Sequence, residues 1–303
     1  MKQLSILISG SGSGMGLLAA KTLIKAGHHV YAGIRDFKTR SIARANDLTD
    51  FAAQMTGKLT LVDLDIKSQE SCFAAVQLMK EESGIIDVVI HNAAHLFSGL
   101  SEAFTPEQLQ DSLDTNVVGA HRLNKAVLPI MRKQENGYLI YIGSAVSAII
   151  NPFFTPYIVG KQAMDALAES TAYELRPFGI ESTILMPGLF MDGTSHFLTA
   201  VAPEDQETLK EYKKLEPYMD RYENGLRKLF RPHQEVPVQG IADEVARLIS
   251  LPKGNKPLRT SIDYSDYGAE AVNAVREAQT FRMLKIIGFE DLLTISTNES
   301  SNV

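Results

Sequence analysis

The sequence predicts an α/β fold in which helices cover both faces of a doubly wound parallel sheet. Short apolar runs alternate with helix-forming segments along the chain, which is the pattern of a parallel sheet with helices on each side. A glycine-rich turn joins the first run to the first helical segment. Small or polar residues follow most of the runs, where the strands' carboxyl ends would form a ligand site.

The apolar runs and the segments between them give the predicted elements in order. The predicted strands are Leu4–Ser9, His29–Ile34, Leu59–Ile66, Asp87–Ala94, Gly137–Ser144, Ile180–Met186 and Leu258–Ile262. The predicted helices are Leu17–Ala26, Ser41–Met55, Ser68–Glu82, Glu107–Met131, Thr155–Pro177, Glu204–Phe230, Val238–Leu251 and Ala269–Ile287. We expect the fourth helix to break near Asn116, and the sixth to form one or two amphipathic pieces.

We expect one domain over residues 1–303, because 45% apolar composition supports a large core. Residues 1–190 would form the cofactor-binding and catalytic core. Residues 191–237 have a looser pattern, which predicts an insertion above the site, and a mobile lid is one interpretation of this insertion. Residues 266–303 form a C-terminal extension, whose tail Thr297–Val303 is polar and expected to be loose.

Composition excludes several classes of function. The net charge of −6 offers no general basic field for nucleic acid or an acidic membrane. No stretch approaches the roughly 20 apolar residues that span a bilayer, and glycines interrupt the short apolar start, so no signal peptide is predicted. Cys72 is the sole cysteine, which fits a reducing cytoplasm. The histidines are scattered, and no metal site is predicted.

The glycine-rich turn predicts a phosphate site in a Rossmann-type fold. Backbone N–H groups converge at the start of a helix, its dipole favours an anion, and glycine permits close approach of a diphosphate. The spacing is G-x-x-x-G-x-G rather than the common G-x-G-x-x-G. The residues expected to bind the cofactor here are Gly10, Ser11, Ser13, Gly14, Met15 and Gly16.

The end of the second strand bears on cofactor choice. An acidic residue there would hold the ribose hydroxyls of NAD, whereas an arginine would accept the extra phosphate of NADP. Arg35 follows the strand, with Lys38 and Arg40 nearby, while Asp36 acts against a phosphate. The sequence therefore favours NADPH and leaves NAD possible.

Tyr157 and Lys161 form the candidate catalytic pair. Pro156 suits the start of a helix, and a spacing of four places both side chains on one face. Ser144 ends the apolar run before them. A phenol has a pKa of about 10, and a neighbouring cation favours the phenolate, which brings proton transfer closer to neutral pH.

Together these residues resemble the classical short-chain dehydrogenase/reductase family, and the resemblance covers residues 1–190 well. Each motif is short, but their order and spacing agree. The matching positions are Gly10, Gly14, Gly16, Asp65, Asn92, Ala93, Ala94, Asn116, Ser144, Tyr157, Lys161, Pro187 and Gly188.

The resemblance implies hydride transfer between a nicotinamide cofactor and an alcohol or carbonyl. Tyr157 would exchange the proton, Ser144 would hold the substrate oxygen, Lys161 would lower the tyrosine pKa, and Asn116 would position Lys161 through water. The other implied cofactor contacts are Asp65, Ile66, Asn92, Ala93, Ala94, Tyr157, Lys161, Pro187 and Gly188.

Several positions depart from the family pattern. Ser9 replaces a threonine but keeps a hydroxyl, Ala94 replaces a glycine, and Gly143 replaces the serine before Ser144. The threonine expected four residues after Gly188 is Asp192 instead, with Thr194 two places later. The sequence therefore does not identify the residue of this loop that contacts the carboxamide of the cofactor.

The predicted substrate is an uncharged, hydrophobic alcohol or ketone, because the candidate pocket is mostly apolar. The predicted substrate contacts are Ser144, Val146, Phe153, Tyr157 and Phe190. The family often pairs the helices around Leu123–Met131 and Met164–Leu175, so a homo-dimer or homo-tetramer is expected.

Two other functions stay open. A nucleotide-sugar epimerase or dehydratase of the extended branch also uses Tyr-x-x-x-Lys, but that branch favours G-x-x-G-x-x-G. A non-catalytic NADP(H)-binding sensor would tend to lose the tyrosine or the lysine, and this chain keeps both.

Overall fold

The strands form one parallel sheet in a computed structural model that describes residues 2–194 and 196–295. The strand order is β3-β2-β1-β4-β5-β6-β7, and every pairing is parallel. This confirms the predicted fold class. The strands are β1 (Ser5–Ser9), β2 (His29–Gly33), β3 (Lys58–Val62), β4 (Val88–His91), β5 (Gly137–Ile142), β6 (Ile180–Pro187) and β7 (Arg259–Ile262).

Helices cover both faces of the sheet. The helices are α1 (Gly14–Lys25), α2 (Ile42–Ala52), α3 (Gln69–Ser83), α4 (Pro106–Leu113), α5 (Gly119–Gln134), α6 (Thr155–Leu175), α7 (Gln206–Glu211), α8 (Glu216–Asp220), α9 (Tyr222–Arg227), α10 (Gln239–Ser250) and α11 (Ala269–Ile286). One core joins the sheet to α3, α5 and α6. A second core joins the opposite face to α1, α2 and α10. This two-sided burial explains why the central strands are apolar throughout.

Two predicted helices are divided in the structure. The segment Glu107–Met131 becomes α4 and α5, joined by a π-helical stretch over Asp114–Val118, so the break near Asn116 is present. The segment Glu204–Phe230 forms the three short helices α7, α8 and α9 rather than one or two. Pro217 lies in the first turn of α8, and its missing N–H prevents the preceding turn from continuing through it.

The third strand is shorter than predicted. It ends at Val62 rather than Ile66, and the N–H of Asp65 donates to a side chain, the Ser71 hydroxyl oxygen, at 2.9 Å. Asp65 and Ile66 therefore lie in the loop beyond the strand.

The C-terminal extension packs beside α6. Leu284 of α11 joins a small apolar cluster with Ala172, Tyr173 and Leu258. None of the helices in the described ranges 2–194 and 196–295 combines the length and apolarity needed to cross a bilayer. The predicted loose tail Thr297–Val303 lies outside the described residues.

Candidate active site

A cavity of about 760 Å³ lies along the carboxyl edge of the sheet. Its walls come from the loops that follow β1 to β6, and from parts of the insertion and the C-terminal extension. This is the edge where parallel sheets bind ligands. Most of the predicted site residues meet here, although they are spread over more than half of the chain.

The glycine loop forms one end of the cavity. Gly10 and Gly14 have φ of +71° and +53°, which favour glycine. A Cβ on Gly16 would lie 2.3 Å from Asn92 Nδ2 and 2.4 Å from the Gly10 carbonyl oxygen. The loop thus packs tightly against Asn92, the residue that follows β4.

Asn92 and Ser9 fix the glycine loop. Asn92 Nδ2 donates to the carbonyl oxygens of Ser9 and Gly10, at 3.0 and 3.1 Å. Ser9 Oγ accepts from the backbone N–H groups of Asn92 and Ala93, at 3.0 and 3.1 Å. The hydroxyl kept by Ser9 therefore bridges β1 to the loop after β4.

The first turn of α1 fits a diphosphate. Ser13 is the N-cap residue but makes no side-chain cap, and the turn contains no acidic residue. Its N–H groups and the helix dipole suit an anion. Gly10, Ser13, Gly14 and Met15 line the cavity. Ser11 and Gly16 lie behind the wall, where Ser11 Oγ donates to the Ile8 carbonyl oxygen at 2.9 Å.

Arginines surround the far end of the glycine loop. Arg35, Arg40 and Arg44 line the cavity, together with Ser41. Asp36 is outside the wall, because its φ of +54° turns the chain and its carboxylate pairs with Arg40 at 3.6 Å. Sequence reasoning missed Arg44. The signal for Arg44 in the sequence was its position in the first turn of α2, the helix that follows β2 and Arg35.

The residues predicted to contact the adenine and the nicotinamide also line the cavity. Asp65 and Ile66 lie on the wall, beyond β3. The loops after β4 and β6 contribute Asn92, Ala93, Ala94, Pro187 and Gly188. Thr194 lines the cavity, whereas Asp192 pairs with Arg227 at 3.3 Å and is 82% exposed. Of the two candidates for the loop contact, Thr194 is the one at the cavity.

The structure brings Ser144, Tyr157 and Lys161 together. Tyr157 lies in the first turn of α6, and Lys161 lies one turn later on the same face. All three are buried and line the cavity. The Ser144 hydroxyl hydrogen-bonds to Tyr157. Lys161 Nζ donates to the Ile142 carbonyl oxygen at 2.7 Å and lies 5.8 Å from the centre of the Tyr157 ring.

Burial shifts the two pKa values in opposite directions. Burial raises the pKa of Tyr157 to about 12, although the hydrogen bond from Ser144 acts against this. Burial lowers the pKa of Lys161 to about 8. The net direction for Tyr157 is opposite to the sequence-based expectation, because desolvation of the phenolate outweighs the groups that favour it in the protein alone.

Asn116 lies behind the catalytic pair in the π-helical stretch. Its side chain accepts from the His95 N–H at 3.0 Å and donates to the His95 carbonyl oxygen at 3.1 Å. It also donates to Ser112 Oγ at 3.2 Å. The side chain is thus fully used in tying the loop after β4 to the helix, and Asn116 does not itself line the cavity.

The substrate side differs from the prediction at one phenylalanine. Val146 and Phe190 line the cavity, as does Phe154, but Phe153 does not. Phe153 has a φ of +70° and packs edge-on against Tyr222, with ring centres 5.2 Å apart. The strained backbone turns its ring away from the cavity and toward α9.

Sequence reasoning also missed His196, which packs its ring edge against Tyr157 at 5.6 Å. Burial, followed by the charge of Lys161, lowers the pKa of His196 to about 4, so it is neutral at physiological pH. No local motif marks this residue, since it reaches the site through the fold of the insertion.

A model of the short chain dehydrogenase family matches residues 5–200. The chain belongs to this family. The resemblance found in the sequence is therefore confirmed.

Named relatives agree with this assignment. A 3-ketodihydrosphingosine reductase of Bacteroides thetaiotaomicron is 32% identical over 188 residues, which is 62% of this chain and 64% of that protein. Retinol dehydrogenase 8 of Homo sapiens is 30% identical over 273 residues, covering 86% of this chain and 82% of that protein. The chain thus spans less than two thirds of the first of these relatives.

A solved short-chain dehydrogenase from Streptomyces avermitilis shares the fold. It superposes with a TM-score of 0.72 at 23% identity, over 94% of this chain and 98% of that one. The family match ends at residue 200, whereas Leu226 and Tyr267 also line the cavity. The wall of the cavity is therefore built partly outside the matched segment.

Proposed function

We propose that this short-chain dehydrogenase transfers a hydride between NADP(H) and an uncharged, apolar alcohol or ketone. One observation carries the proposal: Ser144, Tyr157 and Lys161 meet in a cavity that continues to the glycine loop and then to the arginines. A hydroxyl, a phenol and an ammonium at one end, with an anion site at the other, suit carbonyl chemistry beside a bound dinucleotide.

The protein's own groups supply binding and proton transfer. When bound, the nicotinamide supplies or accepts the hydride. Tyr157 donates its proton to the substrate oxygen during reduction, or takes one during oxidation. Ser144 donates a hydrogen bond to the same oxygen, where negative charge develops. Lys161, charged below a pKa of about 8, favours the phenolate that reduction leaves behind.

Positive charge around the glycine loop supports a preference for NADPH. Arg35 can meet a 2′-phosphate with two parallel hydrogen bonds, and Arg44 lies beside Gly12, 3.5 Å from where a Cβ would stand. Asp36, which would oppose the phosphate, is paired with Arg40. A charge-assisted contact contributes about 1.5–3 kcal/mol, so NADPH should bind roughly 10- to 100-fold more tightly than NADH.

Fluorescence titration of both reduced cofactors tests this preference. Arg35→Ala should weaken NADPH by at least roughly tenfold and leave NADH nearly unchanged. Lys38→Ala is the control, because Lys38 is close in sequence but does not line the cavity. Equal affinities in the wild type, or a preference that Arg35→Ala leaves unchanged, would contradict the proposal.

An apolar wall supports the substrate class. Val146, Phe154, Phe190 and Phe197 line the cavity beyond Tyr157. The two relatives are named for retinol and 3-ketodihydrosphingosine, which are both largely apolar. A panel of aliphatic, isoprenoid and aromatic ketones, followed by loss of NADPH absorbance, tests the class. A preference for sugar phosphates or other anions would contradict it.

The two alternatives have less support. The chain belongs to the short-chain dehydrogenase family and lacks the glycine spacing of the epimerase branch. A sensor would not need Ser144, Tyr157 and Lys161 to converge. Binding of NADPH without turnover of any ketone in the panel would favour the sensor.

A homo-dimer or homo-tetramer in the cytoplasm is proposed by analogy with the family. Val118 and Val159 are 39% and 38% exposed beside α5 and on α6, which suits pairing of these helices. Light scattering of the purified protein at several concentrations tests the oligomeric state, and a monomer throughout would contradict it.

A further inference from the structure

Three residues of the cavity wall have a buried polar atom with no hydrogen-bond partner in residues 2–194 and 196–295: Thr115 Oγ1, Asn151 Oδ1 and the Tyr267 hydroxyl. Thr115 belongs to the π-helical stretch Asp114–Val118, whereas Asn151 and Tyr267 both neighbour α9. Buried polar atoms are rarely left unpaired, because each costs free energy until something hydrogen-bonds to it.

The two residues belong to one polar group beside the apolar wall. Asn151 Nδ2 donates to the Tyr222 hydroxyl. The loop that carries Tyr267 lies beside the end of α9, because the N–H of the neighbouring Asp266 donates to the Leu229 carbonyl oxygen at 2.9 Å. The surroundings are aromatic, since the Tyr222 and Phe154 rings are 5.7 Å apart.

We propose that Asn151 and Tyr267 form a second hydrogen-bonding subsite, which binds a hydroxyl group of the substrate away from the reacting carbon. The inference rests on the proposed function and names its substrate class more closely: an apolar ketone or alcohol that carries a second hydroxyl. A hydroxyl can donate to Asn151 Oδ1 and accept from Tyr267 at once. A plain hydrocarbon would leave both atoms unpaired.

The subsite assembles from three separate parts of the chain. Asn151 follows β5, Tyr222 is on the insertion helix α9, and Tyr267 precedes α11 of the C-terminal extension. The last two lie beyond the family match at residues 5–200. The insertion and the extension thereby acquire a shared role in choosing the substrate.

The kinetic test compares linear aliphatic ketones with the same ketones bearing a terminal hydroxyl, over a series of chain lengths. At the fitting length, wild-type kcat/KM with NADPH should favour the hydroxylated ketone by roughly five- to tenfold, the effect of one or two neutral hydrogen bonds. Tyr267→Phe and Asn151→Leu should each reduce this preference while leaving the plain ketone nearly unaffected. Tyr264→Phe is the matched control, since Tyr264 lies in the same loop but not on the cavity wall.

A binding test separates this proposal from the proposed function. Thermal shifts of the NADPH complex are measured with the corresponding diol and with the mono-alcohol, so no turnover is required. The diol should raise the Tm more in the wild type, and Tyr267→Phe should remove the difference. If the diol raises the Tm more than the mono-alcohol and Tyr267→Phe removes this difference, but no ketone is reduced, only the proposed function is overturned.

Stability distinguishes a ligand-binding role from a structural one. Tyr267→Phe removes an unpaired buried hydroxyl, so the Tm of the protein alone should stay the same or rise. A fall in Tm would show that Tyr267 has a structural partner and would overturn the subsite. Equal binding of diol and mono-alcohol at every length, or a preference that survives Tyr267→Phe, would overturn it as well.

Discussion

Tyr157 and Lys161 show how burial controls the chemistry of single residues. Desolvation raises the pKa of Tyr157 to about 12 and lowers that of Lys161 to about 8. The phenol therefore keeps its proton at neutral pH, which suits a general acid, and Lys161 stays mostly charged.

Tyr157→Phe should nearly abolish turnover and leave cofactor affinity close to that of the wild type. The phenol is the group placed to exchange the proton, and loss of one general acid/base costs about 10²–10⁴-fold. Steady-state rates on a verified substrate, with NADPH titration as the control, measure this. Retention of more than roughly a tenth of the wild-type rate is far outside that range and would contradict the role.

Lys161→Met should remove a pH-dependent part of the stability. Lysine has an unfolded pKa near 10.5 and a folded value of about 8. Between these values the unfolded state holds more protons, so the free energy of unfolding rises with pH, and below pH 8 the cost of the buried charge is constant. The rise amounts to about 3 kcal/mol at most.

Urea unfolding of the wild type and of Lys161→Met, at several pH values between about 7.5 and 10.5, measures this contribution as a difference in the free energy of unfolding. Loss of the hydrogen bond to Ile142 changes the variant's free energy of unfolding by the same amount at every pH. The pH dependence of that free energy, rather than its absolute value, therefore tests the prediction. Parallel pH profiles would show that Lys161 does not titrate as its burial implies.

At the scale of elements, the turn from β1 into α1 is held by contact with β4. Asn92 hydrogen-bonds the Ser9 and Gly10 carbonyls, and Gly16 allows the helix to approach it. The spacing of the glycines is visible in the sequence. The reason that Gly16 must be glycine is not, because a Cβ there would meet the Gly10 carbonyl oxygen and the side chain of Asn92, 76 positions away, and both contacts depend on the fold.

Gly16→Ala should destabilise the protein and weaken cofactor binding. The added Cβ would lie 2.3 Å from Asn92 Nδ2 and 2.4 Å from a backbone oxygen, and overpacking of this kind costs about 1–3 kcal/mol. Gly225→Ala is the control, since nothing lies within 4 Å of its Cβ and alanine favours helix. Equal unfolding midpoints for the two variants would contradict the account.

At the scale of the whole molecule, a network of largely buried charges ties the C-terminal extension to α6. Arg259 of β7 and Arg276 of α11 each reach both Asp165 and Glu169 of α6, at 2.6–2.7 Å. Asp165 is fully buried and Arg259 is 7% exposed. Two cations face two carboxylates, so the group is close to neutral and joins three elements.

Asp165→Ala should cost about 3 kcal/mol or more of unfolding free energy, because it leaves buried arginines with one carboxylate between them. Lys210→Ala is the control on the exposed pair with Glu207, and should change little. Urea denaturation measures both. A loss for Asp165→Ala no larger than that of the control would show that the network does not hold the extension.

The sequence by itself determined the fold class, the glycine loop and the placing of Tyr157 and Lys161 on one helix face. These depend on local patterns: strand and helix periodicity, glycine spacing, and a separation of four residues. Family membership followed from the same residues, and the comparisons confirmed it.

Only the tertiary structure decided which other side chains face the cavity. It placed Arg44 and Tyr267 on the wall, turned Asp36 and Phe153 away, and raised the Tyr157 pKa by burial. The physical reason is that exposure, desolvation and the partner of a polar atom depend on residues distant in the chain. A short pattern cannot record them, and here they set the cofactor end and the substrate end of the site.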